Sequence, residues 1–572
     1  MIVYVSLNVE QRLRNRATYA VETVLNAAGV GYAFRDRLHG NEEIVLCYGG
    51  SSCPGMLGHR VWIQCPCCGW LLDPELSSRG FGRIGPSLRY LACENGSLPF
   101  WGEVSGGRGE GWLVEAPRGK KGACRLRVDL FGNAFLHISR LEEWFLEQRD
   151  QWGRFEARHS LLGNAGLVSW PVVDGYIRAF GQVLERCCER ADVPLIRKAL
   201  WPDGQALAVC LTHDVDRIRK WTWKRVALES LKAVGQAARS PRGGAGRLFG
   251  MALSIARREN PYWNLEALLE DEDEFGAGST FFFSTQRKVK YDPSYAITDG
   301  RIGQAIERLR AENREVGLHA TYGAYGNVEE LKAEHSEFAR CTGVRPTGVR
   351  FHYLRLDEKS SLANAERAGL GYDATLGYAE REGFRAGTSV PFCPYDFLRD
   401  GPIGVLEVPL CLMDKTLTDY RGYDAQSAES VTRGLWEAVR KHHGLLCVLI
   451  HQASYDASEY PYLRSWYRNL LEWVRDEGAF CATAQQIAEW WKARTAFKLL
   501  EANRSGAVVA CKFACSQDLA RIRLTLMHPS LRAAPKVEVD GCEHEICGSS
   551  AQTQLALGPI EMGREIEVLM QP

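Results

Sequence analysis

The chain has 572 residues, 45% of them hydrophobic and 24% charged, the balance of a globular protein with material for about three or four domains. Lys plus Arg and Asp plus Glu are both 70, so the formal charge is zero. That gives no electrostatic reason to expect nucleic acid or an anionic membrane as the main partner. Residues 1–7 lack a basic signal-like region and run straight into Glu10, Arg12 and Arg14, and no apolar run approaches membrane-spanning length. With 19 scattered cysteines, the expectation is a cytoplasmic protein with reduced thiols and no membrane span.

Residues 1–195 read as a mixed α/β domain. Helical spacing covers 19–28, a strand pattern covers 43–48, and a Gly-rich middle leads to a strand-like 126–131 and helical stretches at 138–149 and 175–190. Cys65 and Cys68 resemble half of a zinc knuckle. Cys47, Cys53, His59 or Cys93 would have to complete the four ligands, so buried or idle thiols are the simpler reading.

From 200 to 495 the rhythm becomes strand, loop, helix. Apolar strand candidates lie at 206–211, 279–283, 315–318, 348–351, 406–410 and 445–450, with an amphipathic helix carrying Ile302, Ile306 and Leu309. Alternating strands and helices imply a parallel sheet covered on both faces, either open or rolled into a barrel. Between the first two strands, 240–247 reads as a flexible surface loop. The segment 379–400, with Phe384, Phe392, Tyr395 and Phe397, is expected to shape a substrate pocket. His442 and His443 read as helix-end surface residues, and Trp490 and Trp491 as packing against a neighbouring domain. Residues 497–572 hold short strands at 508–510, 522–526, 536–539 and 565–569 with a turn at Asp540-Gly541, a small β-sandwich-like domain.

Polar residues recur where the central strands end. His213, Asp214 and Asp216 follow the first, His319 the third, Arg350, His352 and Tyr353 the fourth, then come Asp414 and His451. Convergence of strand ends at a barrel mouth is where such folds place chemistry. Carboxylate with imidazoles suits a divalent metal, Zn²⁺ above others, with a position left open. A further carboxylate and histidine then supply a base and an acid, which points to metal-assisted hydrolysis.

The segments Thr212-His213-Asp214-Val215-Asp216, Gly317-Leu318-His319, Gly348-Val349-Arg350-Phe351-His352-Tyr353 and Leu449-Ile450-His451 resemble the polysaccharide deacetylase (NodB-homology) family. The resemblance covers the central half of the chain. It implies a distorted (β/α) barrel and metal-dependent removal of N- or O-acetyl groups from a carbohydrate or glycoconjugate. Carried over by motif, Asp214 is the general base, Asp216 and His319 are ligands, Arg350 orients the base and His451 is the general acid. Two departures stand out. Val215 separates the two aspartates that the family has adjacent, and Gly323 stands where the family has a second histidine. The third ligand must come from elsewhere, with His352 and His213 as candidates and His352 preferred. Tyr353 is a candidate oxyanion donor, and Asp414 a candidate partner for His451. The rival readings are a catalytically silent carbohydrate-binding or assembly protein, and a metal-independent amidohydrolase acting on another C–N bond. A cytoplasmic setting favours a nucleotide-linked, lipid-linked or small glycan as substrate.

Overall fold

The apolar run ahead of Asp214 forms β1 (Ala208–Val215), every residue of which is buried. Strand β1 pairs in parallel with β2 (Ser279–Phe283) on one side and, in chain order the last of the set, β8 (Leu445–Leu449) on the other. Phe480–Cys481 adds a short parallel pairing at its start. Between them in sequence come β3 (Glu315–Ala320), β4 (Gly348–Phe351), β5 (Tyr372–Asp373), β6 (Leu406–Glu407) and β7 (Leu412–Met413). The computed structural model describes residues 1–50, 59–75, 88–93, 96–105, 111–115, 122–257, 259–529, 535–548 and 552–571.

Strand order in the central sheet is β6-β5-β4-β3-β2-β1-β8-β7, all parallel. Its two edges, β6 and β7, are consecutive in the chain and separated only by residues 408–411. An extended backbone covers at most about 3.6 Å per residue, so the edges lie within roughly 18 Å of one another. The sheet is therefore rolled, and its edges do not pair among the described residues. The architecture is α/β, a distorted barrel. Buried runs such as Ser279–Phe283 and Leu445–Leu449 carry no polar alternation because helices cover them from outside.

Three local expectations need correction. Residues 240–247 are not a loop. They open α2 (Pro241–Ala256), which follows α1 (Trp223–Ala237) after a three-residue turn. Ser240 caps α2 by accepting the Gly243 N–H, and Pro241 occupies the first turn, where its missing N–H does no harm. Gly244 marks the crossing of the two helices, since a Cβ there would lie 2.5 Å from that of Ala237. The strand-like 126–131 divides into a strand, Gly122–Leu126, and a helix, Leu130–Ile138, capped by Asp129. The helix expected at 138–149 is the short Leu141–Phe145.

N-terminal to the barrel, a six-stranded sheet places Val3–Asn8 between Tyr32–Phe34 and Ile44–Gly49 and continues through Val61–Cys65 and Gly122–Leu126 to Leu113–Glu115. Only the last pairing is antiparallel. C-terminal to the barrel lie two antiparallel sheets of five and four strands. Leu195–Lys198, which precedes the barrel, is an edge strand of the smaller one through its pairing with Ile522–Met527.

The aromatic residues of 379–400 do not line a pocket. Tyr395 packs on Tyr19 and Phe135, and Phe397 on Phe135 and Trp144, so the segment is the seam between the barrel and the helices of the N-terminal region. Phe384 is buried there and donates its backbone N–H to Val168 O. Arg385 makes a bidentate ion pair with Glu143 across the same seam, at 2.9 and 2.6 Å, both side chains buried. Trp490 donates to Leu200 O, and Trp491 faces Trp201. His442, expected at the surface, is buried, and burial pushes its imidazole down to about 3.

Candidate metal and catalytic site

Side chains alternate along a strand, so Thr212 and Asp214 share one face of β1 and His213 takes the other. Arg350 contacts both members of the first pair. Its Nη1 donates to Thr212 Oγ1 at 2.8 Å and lies 3.3 Å from Asp214 Oδ1, while Nε donates to Ala374 O at 2.8 Å. Its guanidinium sits over the Phe282 ring and has no exposure to solvent. Arg350 thus fixes the Asp214 carboxylate from inside the barrel. His213 is removed from the site altogether. Its Nε2 is 2.8 Å from Glu272 Oε1 and its Nδ1 3.0 Å from Ile450 O, on the helix side of the sheet. The expectation of a ligand or supporting role for His213 is corrected by this alternation.

Asp216, His319 and His352 are brought together, with one ligand atom from each within 4.8 Å of the others; among the described residues they form the one such group of three or more. Asp216 Oδ1 lies 3.2 Å from His319 Nε2, and Asp216 Oδ2 lies 3.5 Å from His352 Nε2. His352 arrives from the turn after β4, while Gly323 faces elsewhere, its Cβ position 3.3 Å from Glu330 Oε2.

The donor set fits a divalent cation on two grounds. His319 Nδ1 is 3.0 Å from the Arg350 carbonyl, to which it donates, so Nε2 presents its lone pair to a carboxylate. Both Nε2 of His319 and Oδ1 of Asp216 are buried without a hydrogen-bond partner. Two electron-rich atoms facing one another in a buried site need positive charge between them. The carboxylates draw positive charge into the site. Burial opposes charge on His319, yet Asp214 and Asp216 hold its imidazole above the ordinary value. Burial likewise opposes charge on Asp216, yet His352 and His319 hold its carboxyl well below the ordinary range. Carboxylate and imidazole are donors suited to zinc.

His451 stands beside this group, its Nε2 3.6 Å from Asp216 Oδ2. Its Nδ1 is 2.8 Å from Asp414 Oδ1, and its backbone N–H donates to Asp414 Oδ2 at 2.9 Å. Asp414 is fully buried, which disfavours its charge, but His451 draws its carboxyl down to about 2. In return Asp414 outweighs the burial of His451 and lifts its imidazole above the ordinary value.

Tyr353 and Leu354, which follow His352, have φ of 64° and 54°. Consecutive bulky residues in the left-handed region are strained, and such strain gathers at functional sites. The Tyr353 and Tyr291 rings line the cleft that opens onto Asp214, Asp216 and His451, and Trp152 and Tyr322 pack against Tyr353.

Three contributors escaped sequence reasoning. Thr212 was read only as part of a motif, although a hydroxyl two residues before a carboxylate on the same strand face is a legible signal. Arg154 donates to Tyr353 O and Tyr420 Oη, and Trp152 packs on Tyr353. Both come from outside the barrel across a separation of about two hundred residues, and no local pattern announces them. Among the described residues the half-knuckle at Cys65 and Cys68 gathers no metal group: Cys65 Sγ donates to Val128 O, and the Cys68 N–H donates to Asp129. Cys53 lies outside the described residues.

Residues 81–189 match the model of a family of unknown function, DUF7033. No curated protein matches the chain. Among solved structures, a candidate polysaccharide deacetylase from Mycobacterium smegmatis is similar at 20% identity and a TM-score of 0.35, covering 54% of this chain and 98% of that one. A further candidate polysaccharide deacetylase, from Pseudomonas aeruginosa PAO1, is similar at 15% identity and a TM-score of 0.34, covering 51% and 92%. A CE4 family pseudoenzyme from Bacillus anthracis is similar at 12% identity and a TM-score of 0.25, covering 50% and 66%. The functional reading rests on the side-chain geometry of this chain.

Proposed function

We propose that this chain is a metal-dependent hydrolase of the polysaccharide deacetylase type, which removes an N- or O-linked acetyl group from a carbohydrate or glycoconjugate. The observation that carries the reading is the meeting of Asp216, His319 and His352, with orphaned buried atoms facing one another, beside an Arg-held carboxylate and an Asp-held histidine. In this reading 200–495 is the catalytic unit, and 1–195 and 497–572 are flanking domains. A cytoplasmic setting is part of the proposal and rests on the cysteine-rich composition alone.

Asp216, His319 and His352 would hold the cation, which when bound polarises an acyl carbonyl and lowers the pKa of water towards neutrality. Asp214 accepts the proton of the attacking water. Its pairing with Arg350 and burial beside Thr212 keep the carboxylate in place for that transfer. His451 carries a proton on Nε2 and delivers it to the departing amine or alkoxide. Asp414 binds Nδ1–H, orients the ring and supports its positive form. The aromatic wall of Tyr353 and Tyr291, with Trp152 packed against Tyr353, offers flat faces to the apolar side of a sugar ring.

The test is acetate release from N-acetylated and O-acetylated oligosaccharides by the zinc-loaded chain. The expected result is turnover that falls at least about 10²-fold in both Asp214→Asn and His451→Ala. Zinc bound with no acetate released from either class would instead favour the silent carbohydrate-binding reading.

A further inference from the structure

Thirteen large hydrophobic side chains are exposed among the described residues, and seven of them stand on the α1–α2 hairpin. They include Trp223 at 77% exposure, Leu231 and Phe249 at 70%, and Val234 at 65%. The hairpin closes on itself through small residues, with Ala233, Ala237 and Gly244 at the crossing, and through Glu229, which binds Lys232 and Arg247. The large apolar side chains are left outside. A soluble helix pair does the reverse and turns such residues inward.

Charge is segregated on the same segment. Residues 223–256 contain six Lys and Arg and one acidic residue, Glu229, which is spent within the hairpin, while Arg225 also reaches Glu459 beyond it. The whole-chain balance of 70 against 70 hides this asymmetry. Lys224, Arg239 and Arg242 have no acidic partner among the described residues.

We propose that the α1–α2 hairpin docks on the surface of an anionic phospholipid bilayer. Exposed apolar side chains on a cationic helix pair match the headgroup–acyl boundary, where the rings and alkyl groups leave water and the cations meet lipid phosphates. A second copy of the chain is a poorer occupant, because docking hairpin on hairpin sets the six cations of residues 223–256, which include only one acidic residue, against another six. A nucleic acid would use the cations but leave Leu231, Val234 and Phe249 in water. The segment is too short and too charged to span, and no helix among the described residues is long and apolar enough to cross a membrane. Docking sets the cleft at the headgroup level, since Thr222, Trp223 and Lys224 line it together with Asp216 and His451. It would therefore present membrane-held glycoconjugates to the site. The docking claim stands whether or not the site hydrolyses anything.

The experiment is co-sedimentation of the full chain with vesicles of phosphatidylcholine alone and of phosphatidylcholine with phosphatidylglycerol. The expected result is binding to the anionic vesicles at least about tenfold tighter than to the neutral ones, weakening as salt rises. The triple variant Leu231→Ser, Val234→Ser, Phe249→Ser and the double variant Arg239→Glu, Arg242→Glu should each lose about tenfold in partition at unchanged thermal midpoint. Equal partition of wild type and both variants overturns the proposal. So does a concentration-dependent dimer of the wild type, with no vesicle binding, that the triple variant converts to monomer.

Discussion

His451 and Asp414 are joined twice, through Nδ1 to Oδ1 at 2.8 Å and through the backbone N–H to Oδ2 at 2.9 Å. One carboxylate thus fixes both the position and the ring orientation of the histidine, and leaves Nε2 facing Asp216. Replacing Asp414 with Asn keeps a polar side chain of the same size but can present an N–H to Nδ1, which reverses the tautomer. Asp414→Asn should lower kcat by about 10²–10⁴-fold with KM changed less than about threefold. Steady-state kinetics on the acetylated substrate decides it, and a loss confined to KM would contradict a positioning role.

Arg350 is buried over Phe282 and holds Asp214, Thr212 and Ala374 O. Arg350→Met strips the buried Asp214 carboxylate of its guanidinium partner and leaves it only the more distant His319, and should destabilise the fold by about 3–5 kcal/mol. Chemical denaturation of the two proteins measures this directly. A variant as stable as the wild type would mean that Asp214 is solvated or held by other groups.

The Arg385–Glu143 pair crosses the seam between the barrel and the helix Leu141–Phe145 with both partners buried. Arg385→Ala should destabilise by about 3–5 kcal/mol, whereas the double change Arg385→Met, Glu143→Met should recover much of the loss. Equilibrium unfolding of the single and double variants would separate the two outcomes, and equal loss in both would contradict an ion-pair origin.

Glu142 neighbours that pair. Burial lifts its carboxyl to about 8 from an ordinary 4.5, although it accepts the Leu161 N–H. The folded chain therefore keeps a proton that the unfolded chain releases. Stability from this group is complete below about pH 4.5 and is lost as pH rises through about 8. Glu142→Gln keeps an acceptor for Leu161 and removes the titration. Its melting temperature should gain on that of the wild type from about pH 5 to about pH 8.5, and parallel curves would contradict the assignment.

The barrel was legible because its strands are unbroken apolar runs followed by polar residues, and 279–283 and 348–351 appear as read. Strand ends that converge in space brought Asp214, Asp216, His319, Arg350, His352 and His451 into one region. Two misreadings have identifiable physical causes. Glycines at 243–246 suggested a loop, but Gly244 is where α1 and α2 approach too closely for a side chain. Aromatics at 384–397 suggested a pocket, but they fill the seam with the N-terminal helices, whose Tyr19 and Phe135 lie far off in sequence. The face taken by His213 could have been read from strand alternation once β1 was extended to Val215.

Every role proposed for the site depends on a divalent cation held by Asp216, His319 and His352. Elemental analysis of the purified full chain, alongside Asp216→Ala, His319→Ala and His352→Ala, tests it most directly. About one zinc per wild-type chain is expected, with a loss of affinity of at least about tenfold in each variant at unchanged fold. Zinc retained in all three variants, or none taken up by the wild type at saturating metal, would contradict it.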